Sequence, residues 1–311
     1  MVEKSKKPEK RIGIKDLPKE DLLIGGPPTC AGCGAELGQK LVLKALGKKT
    51  IIINTSGCMT LTPIYPFTPF KVPWAHVAIE TGGSAATGIL MGLRAQKKDK
   101  NVNIVVYAGD GASYDVGFES LSGMAARREN VIYICYNNSS FGNTGFQWST
   151  STPTGSMTTT TPPGKKQPIG NIMPRKNLAK IMAAHDIPYV ATAAIGYPLD
   201  FINKLRKASE IKGPKFIDLL TTCPTGWGTD PSESIEINQL MVQAGLWPVY
   251  EYENKELKIT IEPKFIPVER ALLRQRRFKH LKKEHIKKIQ EMVNKEWKLI
   301  RQGKYMEVEM Y

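Results

Sequence analysis

An α/β fold, a parallel sheet with helices on both faces, is what this chain predicts, and three observations predict it. Apolar runs too uniform to be half-exposed recur along the chain: Ile51 to Ile53, NVNIVVYAG at 101–109, NVIYICYNN at 130–138 and KFIDLLTTC at 215–223. Strands buried on both faces read this way. Segments of helical spacing stand between them, giving the strand–helix rhythm of βαβ units. The 311 residues, 41% hydrophobic and 23% charged, suit a soluble globular chain with a sizeable core.

The elements follow in order. Residues 1–28 are basic and proline-containing and form an arm that wraps or extends. Helical spacing runs from Ala35 to Leu46, and Gly47 stops it. The Ile51 to Ile53 strand comes next, and the proline- and aromatic-rich stretch 59–75 forms a loop. Glu80 to Gln96 is rich in small residues and predicts a tightly packed helix. NVNIVVYAGDG is a strand ending in a glycine turn, YDVGFESLSGMAARRE a helix, and NVIYICYNN the next strand. Residues 139–174 are rich in Ser, Thr, Gly and Pro and have no periodicity; so long a loop in a compact domain is usually functional. Leu178 to His185 is helical, IPYVATAAI a strand, PLDFINKLRKASE a helix and KFIDLLTTC a strand. Beyond about 232 come helices and a hairpin, YEYENKELKIT, turning at Glu253-Asn254. With no internal repeat, the reading is one domain over 29–231 and a C-terminal extension, 232–311, packed on it.

The 44 basic residues outnumber the 29 acidic ones, for a net charge of +15, which favours an acidic partner. The densest stretch, Arg270 to Lys288, reads as a helix with a solvated basic face, or one that meets an acidic protein. No nucleic-acid module accompanies the charge, so nucleic acid is not the expected partner. No apolar run approaches the roughly 20 residues that span a bilayer, and MVEKSKKPEKR lacks the apolar core of a secretory signal. The expectation is a cytoplasmic chain with no membrane contact. Its five cysteines, an odd number, argue against a disulfide framework.

CAGCG, residues 30–34, looks like half of a metal site. Asp110, in VVYAGDGASYD, stands at the carboxyl end of a strand, where open α/β sheets bind ligands. The flanking glycines let the backbone approach a phosphate, and the next helix N-terminus favours an anion. A carboxylate there can hold Mg²⁺. After Gly111 come 25 residues, and then Asn137-Asn138 ends the next strand. A right-handed crossover sets neighbouring strand ends side by side. Asp110 and an asparagine amide oxygen can then share one cation.

That spacing resembles the pattern of thiamine-diphosphate enzymes. Together with CAGCG, SGC, YNNSSFGNTGFQ and TTCPTGW, it makes the chain similar to the β subunits of 2-oxoacid:ferredoxin oxidoreductases over roughly residues 25–300. The resemblance implies a thiamine-diphosphate-binding fold of the diphosphate-binding type. It puts Mg²⁺ on Asp110, Asn138 and Ser140, the diphosphate along Gly109, Gly111 and Ala112, and a [4Fe–4S] cluster on Cys30, Cys33, Cys58 and Cys223. Cys58 is expected beside the cofactor as well. Four thiolates alone suit zinc equally; the neighbouring thiamine chemistry, which needs an electron acceptor, favours the cluster. Cys135, in mid-strand, reads as a small buried hydrophobe. Asn143 matches a family asparagine that reaches substrate; the alternative is an asparagine satisfying a turn. Thr144 and Gly145 shape its loop. Thr81 to Ser84 begin a helix that faces the same pocket, or else only packs.

The implied reaction is coenzyme-A-dependent oxidative decarboxylation of a 2-oxoacid to acyl-CoA and CO₂, with electrons passing through the cluster to ferredoxin. Pyruvate is the favoured substrate, with a branched-chain or another 2-oxoacid as the alternative. The segment SSFG at 139–142, where the family more usually carries EAYM, bears on that choice. In this family the thiamine-activating glutamate and the arginine for the substrate carboxylate come from another subunit. The chain is therefore expected to act only with α, γ and ferredoxin-like δ subunits. The rival readings are a zinc-bearing structural subunit and a nucleic-acid-binding protein.

Overall fold

The structure, a computed structural model, describes residues 12–64 and 66–306. The first eleven residues of the basic arm and the last five of the C-terminal extension lie outside the described residues. Eight strands form one sheet: β1 (Thr50–Thr55), β2 (Trp74–Val77), β3 (Asn103–Gly109), β4 (Ile132–Asn137), β5 (Tyr189–Ala194), β6 (Lys215–Leu220), β7 (Val249–Glu253) and β8 (Glu256–Ile261). Their order is β2-β1-β3-β4-β6-β5-β7-β8. The first six in that order run parallel, and the β7–β8 hairpin joins antiparallel to β5.

The helices are α1 (Gly34–Leu46), α2 (Gly82–Ala95), α3 (Phe118–Ala126), α4 (Leu178–Ala184), α5 (Pro198–Glu210), α6 (Pro224–Trp227), α7 (Ser234–Gln243), α8 (Val268–Leu272) and α9 (Lys283–Arg301). Side chains alternate across the sheet into two cores. Along β3, Ile104, Val106 and Ala108 face the core under α2, α3 and α4, while Val105 and Tyr107 face the core under α1 and α5. This is why the central strands read as unbroken apolar runs. The helices α7, α8 and α9 extend the first core, with Ile286, Ile289, Val293, Trp297 and Ile300 on the buried stripe of α9. No helix among the described residues is long and apolar enough to cross a membrane.

Four expectations are corrected. The end of the 59–75 loop enters a strand, β2, which pairs with β1 at the sheet edge. That strand is mostly half-exposed, so no apolar run announces it. The helix expected directly after the glycine turn opens with a π-helical turn, Gly111–Val116, before α3 begins. The hairpin turns at Asn254-Lys255, both left-handed at φ 53° and 64°, one residue later than expected. The basic stretch Arg270 to Lys288 is not one helix. It breaks after α8 at the extended Gln275, tightens into a short 3₁₀ turn at Arg276–Phe278 and resumes as α9. The break turns Phe278 and Arg277 into the interior, where they are 0% and 1% exposed.

Candidate functional site

Parallel strands deliver their carboxyl ends to one edge, and there the sequence-predicted residues gather. β1 runs into Gly57 and Cys58, β3 into Asp110, β4 into Asn138 and β6 into Cys223. The pairing of Gly109 with Tyr136 across β3 and β4 sets Asp110 beside Asn137 and Asn138. Asp110 is fully buried. Its Oδ1 accepts the Asn138 backbone N–H at 3.3 Å, and its Oδ2 accepts the hydroxyls of Ser149 and Ser151, each at 2.6 Å. Those serines come from the long Ser/Thr loop, which thereby folds over the strand ends. Burial, only partly offset by these hydrogen bonds, pushes the Asp110 carboxyl up to about 7. A buried carboxylate whose hydrogen-bond partners among the described residues are hydroxyl and backbone N–H groups suits a metal.

Asn138 and Ser140 complete this corner. The Asn138 amide oxygen accepts from the Ser140 hydroxyl at 3.1 Å, and its backbone carbonyl accepts the Trp227 indole N–H at 2.8 Å. Above it lies a cavity of about 290 Å³ lined by Gly109, Gly111, Ala112, Asn138, Ser140 and Asn143. Close approach leaves no room for a Cβ at Gly111 and little at Gly109. A Cβ on Gly111 would stand 2.4 Å from the Phe141 ring, and one on Gly109 would stand 3.2 Å from the Tyr136 hydroxyl. Behind the corner, Asp218 accepts from the Tyr114 hydroxyl and from the Asn137 side chain at 3.2 Å, anchoring the residue next to Asn138.

Asn143 is exposed and lines both this cavity and its larger neighbour. Its turn closes without it. Gly145 donates to the Gly142 carbonyl at 3.3 Å, and the Thr144 hydroxyl donates to Gln147 at 2.5 Å. Gly145 supplies the left-handed φ of 116°. Thr144 and Gly145 thus shape the loop, and the Asn143 amide is not used up in the turn. Residues 81–84 do not line the cavity. Gly82 packs on Val106 and Thr55, Gly83 packs on Ser120, and Ile79 is the nearby residue that reaches the cavity wall.

Cys30, Cys33, Cys58 and Cys223 line the larger cavity, about 670 Å³, while Cys135 is buried in β4 away from it. The CAGCG turn is held against β6: the Gly34 N–H donates to the Thr222 carbonyl at 3.0 Å, and a Cβ on Gly34 would stand 2.7 Å from the Thr222 nitrogen. Gly32, at φ 71°, leaves no room for a Cβ against Pro231. Cys33 caps α1 and Cys223 caps α6, its sulfur accepting the Gly226 N–H at 3.3 Å. Cys58 lies next to Asn138, since a Cβ on Gly142 would be 3.3 Å from the Cys58 sulfur and 2.9 Å from the Asn138 amide nitrogen. Burial pushes the Cys33 thiol up to about 11 and the Cys58 thiol up to about 12, the latter reinforced by the charges of Cys223 and Cys33. Thiols of this kind ionise at neutral pH only when a metal takes the charge. Among the described residues, no three His, Cys, Asp or Glu side chains close around one ion-sized position. The four sulfurs share a chamber instead.

Residues 55–219 match the family described as thiamine pyrophosphate enzyme, C-terminal TPP binding domain. The chain is 48% identical over 280 residues to pyruvate synthase subunit PorB of Methanothermobacter marburgensis, covering 89% of this chain and 96% of that one. The chain belongs to the β-subunit family of 2-oxoacid:ferredoxin oxidoreductases. Ketoisovalerate oxidoreductase subunit VorB of Pyrococcus furiosus is a further member, 42% identical over 303 residues, covering 94% of this chain and 96% of that one. As a member of this family, the chain is a subunit of an oxidoreductase. Among solved structures, a 2-oxoglutarate:ferredoxin oxidoreductase from Magnetococcus marinus superposes with a TM-score of 0.54 at 20% identity, covering 75% of this chain and 82% of that one. At that identity the likeness speaks for the fold.

Three participants at this edge had no local signal. Ser149 and Ser151 sit in an aperiodic loop, and only the tertiary fold aims them at Asp110. Arg277 lay in a basic run that read as solvated. Asp218 could have been found, since a lone acid in the apolar strand KFIDLL is unusual.

Proposed function

We propose that this chain carries thiamine diphosphate with Mg²⁺ and a [4Fe–4S] cluster within a coenzyme-A-dependent 2-oxoacid:ferredoxin oxidoreductase, with pyruvate as the favoured substrate. One observation carries the reading. Asn138 and Ser140, with the buried Asp110 hydrogen-bonded behind them, line a cavity that shares Cys58, Asn138, Gly142 and Asn143 with the four-cysteine chamber. A cofactor pocket and a sulfur-lined pocket that touch are what decarboxylation followed by electron removal needs.

When bound, thiamine diphosphate supplies the electron sink that lets CO₂ leave a 2-oxoacid, and an iron–sulfur cluster supplies a one-electron acceptor. The chain's own residues supply the positions. Asp110, the Asn138 amide oxygen and the Ser140 carbonyl would hold Mg²⁺; that carbonyl accepts no hydrogen bond among the described residues. Gly109, Gly111 and Ala112 would border the diphosphate, at the start of a helical turn whose free N–H groups favour an anion. The Asn143 amide, free of its own turn, would hydrogen-bond the substrate carboxylate or a developing oxyanion. Cys30, Cys33, Cys58 and Cys223 would hold the cluster.

The reading includes partner α, γ and ferredoxin-like δ subunits, which would supply the thiamine-activating glutamate and the carboxylate-binding arginine, and ferredoxin as acceptor. It includes a cytoplasmic location, where five free cysteines stay reduced. Identity to both a pyruvate and a ketoisovalerate subunit supports the class more strongly than the substrate. Phe141 and Gly142, beside Asn143, are the residues to vary for substrate size.

The test is co-expression with the partner subunits, purification without oxygen, and viologen reduction. Pyruvate, 2-oxoisovalerate, 2-oxoglutarate and an aryl pyruvate are offered in turn, with and without coenzyme A. Coenzyme-A-dependent reduction with pyruvate is the expected result. Zinc in place of iron, with no acid-labile sulfide, would overturn it.

A further inference from the structure

Among the described residues, Arg277 is the one fully buried cation on the wall of the four-cysteine chamber. Its side chain is 1% exposed. The guanidinium carbon lies 3.9 Å over the Trp227 ring and 4.9 Å from the Phe278 ring centre. Stacking of this kind holds the guanidinium plane and leaves its N–H edge as the part that can recognise a partner. Gln275 takes the Nε–H at 2.9 Å, and Gln275 is itself fixed by donating to the Ala271 carbonyl at 2.8 Å. The two terminal nitrogens, Nη1 and Nη2, are buried and have no acceptor among the described residues.

A rigid cation held by three residues, with its strongest donors unsatisfied, lacks an anion. Burial pushes the Arg277 guanidinium down to about 9, partly offset by Cys223 and then Asp110. Cys223 lines the same chamber. Asp110 already receives hydrogens from Ser149, Ser151 and Asn138. The missing acceptor is therefore on the cysteine side. A cluster held by four thiolates carries net negative charge, and its sulfurs accept hydrogen bonds.

We propose that Arg277 donates hydrogen bonds to the sulfurs of the cluster held by Cys30, Cys33, Cys58 and Cys223, and thereby raises its reduction potential. The inference rests on the cluster reading given above. One-electron reduction adds a negative charge to the cluster, and a fixed, desolvated guanidinium stabilises the reduced form more than the oxidised one. Arg277 is a positioning and tuning residue; it need not touch the 2-oxoacid.

The experiment is a redox titration of the assembled complex, purified without oxygen, following the electron paramagnetic resonance signal of the reduced cluster. Iron and sulfide are counted in every sample. Arg277→Met is expected to keep its iron and to make reduction of one cluster at least tenfold less favourable, which is about 59 mV for one electron. Arg277→Lys keeps the charge without the fork and is expected to shift the same signal the same way by less. Signals from the ferredoxin-like partner subunit should hold still. An unchanged potential with iron retained overturns the proposal, and a rise in KM for the 2-oxoacid alongside it would assign the guanidinium to a substrate anion. If Arg277→Met loses its iron, Arg277→Lys decides: an unshifted potential there overturns the proposal. A wild-type complex without iron and sulfide would sink the cluster reading itself, a failure distinct from an unshifted potential.

Discussion

The Trp227 indole N–H donates to the backbone carbonyl of Asn138 at 2.8 Å, joining the turn after Cys223 to the end of β4. One side chain thus ties the four-cysteine chamber to the Asp110–Asn138 corner. Trp227 is 0% exposed and also carries Arg277 on its ring face. Trp227→Phe would keep most of the packing and leave the Asn138 carbonyl without its donor. The expected cost is about 1–3 kcal/mol in unfolding by denaturant, with weaker thiamine-diphosphate binding by the assembled complex. Unaltered cofactor affinity would show that this tie does not position Asn138.

Asp110→Asn separates fold from cofactor. The amide oxygen can still accept from Ser149 and Ser151 and a buried charge is removed, but the amide nitrogen then faces the Asn138 N–H that Oδ1 accepts in the wild type. Stability at pH 8 is expected to fall by about 1–3 kcal/mol. Magnesium-dependent binding of thiamine diphosphate should weaken more than about 100-fold, since a direct ligand outweighs the 10–100-fold typical of residues one shell further out. Calorimetry of the complex with thiamine diphosphate and Mg²⁺ checks this.

Serine at Cys30, Cys33, Cys58 or Cys223 should each remove most of the iron and sulfide. Cys135→Ala should remove none, because Cys135 is buried in β4. Its expected effect is a packing loss of about 1–2 kcal/mol. Metal analysis of the five variants decides, and iron loss in Cys135→Ala would redraw the ligand set.

Lys215 gives the fold a pH dependence remote from the site. It is 2% exposed at the start of β6, bonded to Asn130 at 2.6 Å, and burial pushes its ammonium down to about 7. Between pH 7 and about 10 the unfolded chain holds a proton there that the folded chain has lost, so stability at this group rises with pH. Below pH 7 the folded chain bears the full cost of a buried charge. Each tenfold loss of proton affinity on folding corresponds to about 1.4 kcal/mol. Lys215→Met should therefore stabilise the protein at pH 6–7 by a few kcal/mol and flatten the rise towards pH 10. Denaturant midpoints across that range test it.

The parallel sheet was legible because β1, β3, β4 and β6 lie between two cores and so are apolar on both faces. The helix PLDFINKLRKASE matched α5, Pro198–Glu210, since Pro198 starts it and its apolar stripe is regular. The edge strand β2 was not legible, because a half-exposed four-residue strand carries no run and depends on pairing with β1. The break at Gln275 was hidden as well: RRF reads as charged surface until Phe278 and Arg277 are seen to fill the interior.

Residue type and spacing along the chain were enough for Asp110 and Asn138, because a βαβ crossover forces consecutive strand ends to be neighbours. They marked Cys30 and Cys33 through CAGCG, while Cys58 and Cys223 joined the set only through the family resemblance. Packing alone could bring those four, from three distant segments, to one chamber, through contacts such as Gly34 with Thr222. Packing alone turned Ser149 and Ser151 onto Asp110 and drew Arg277 out of a basic run. Local pattern records which face a residue prefers. Which distant residue waits there is set only when the layers close.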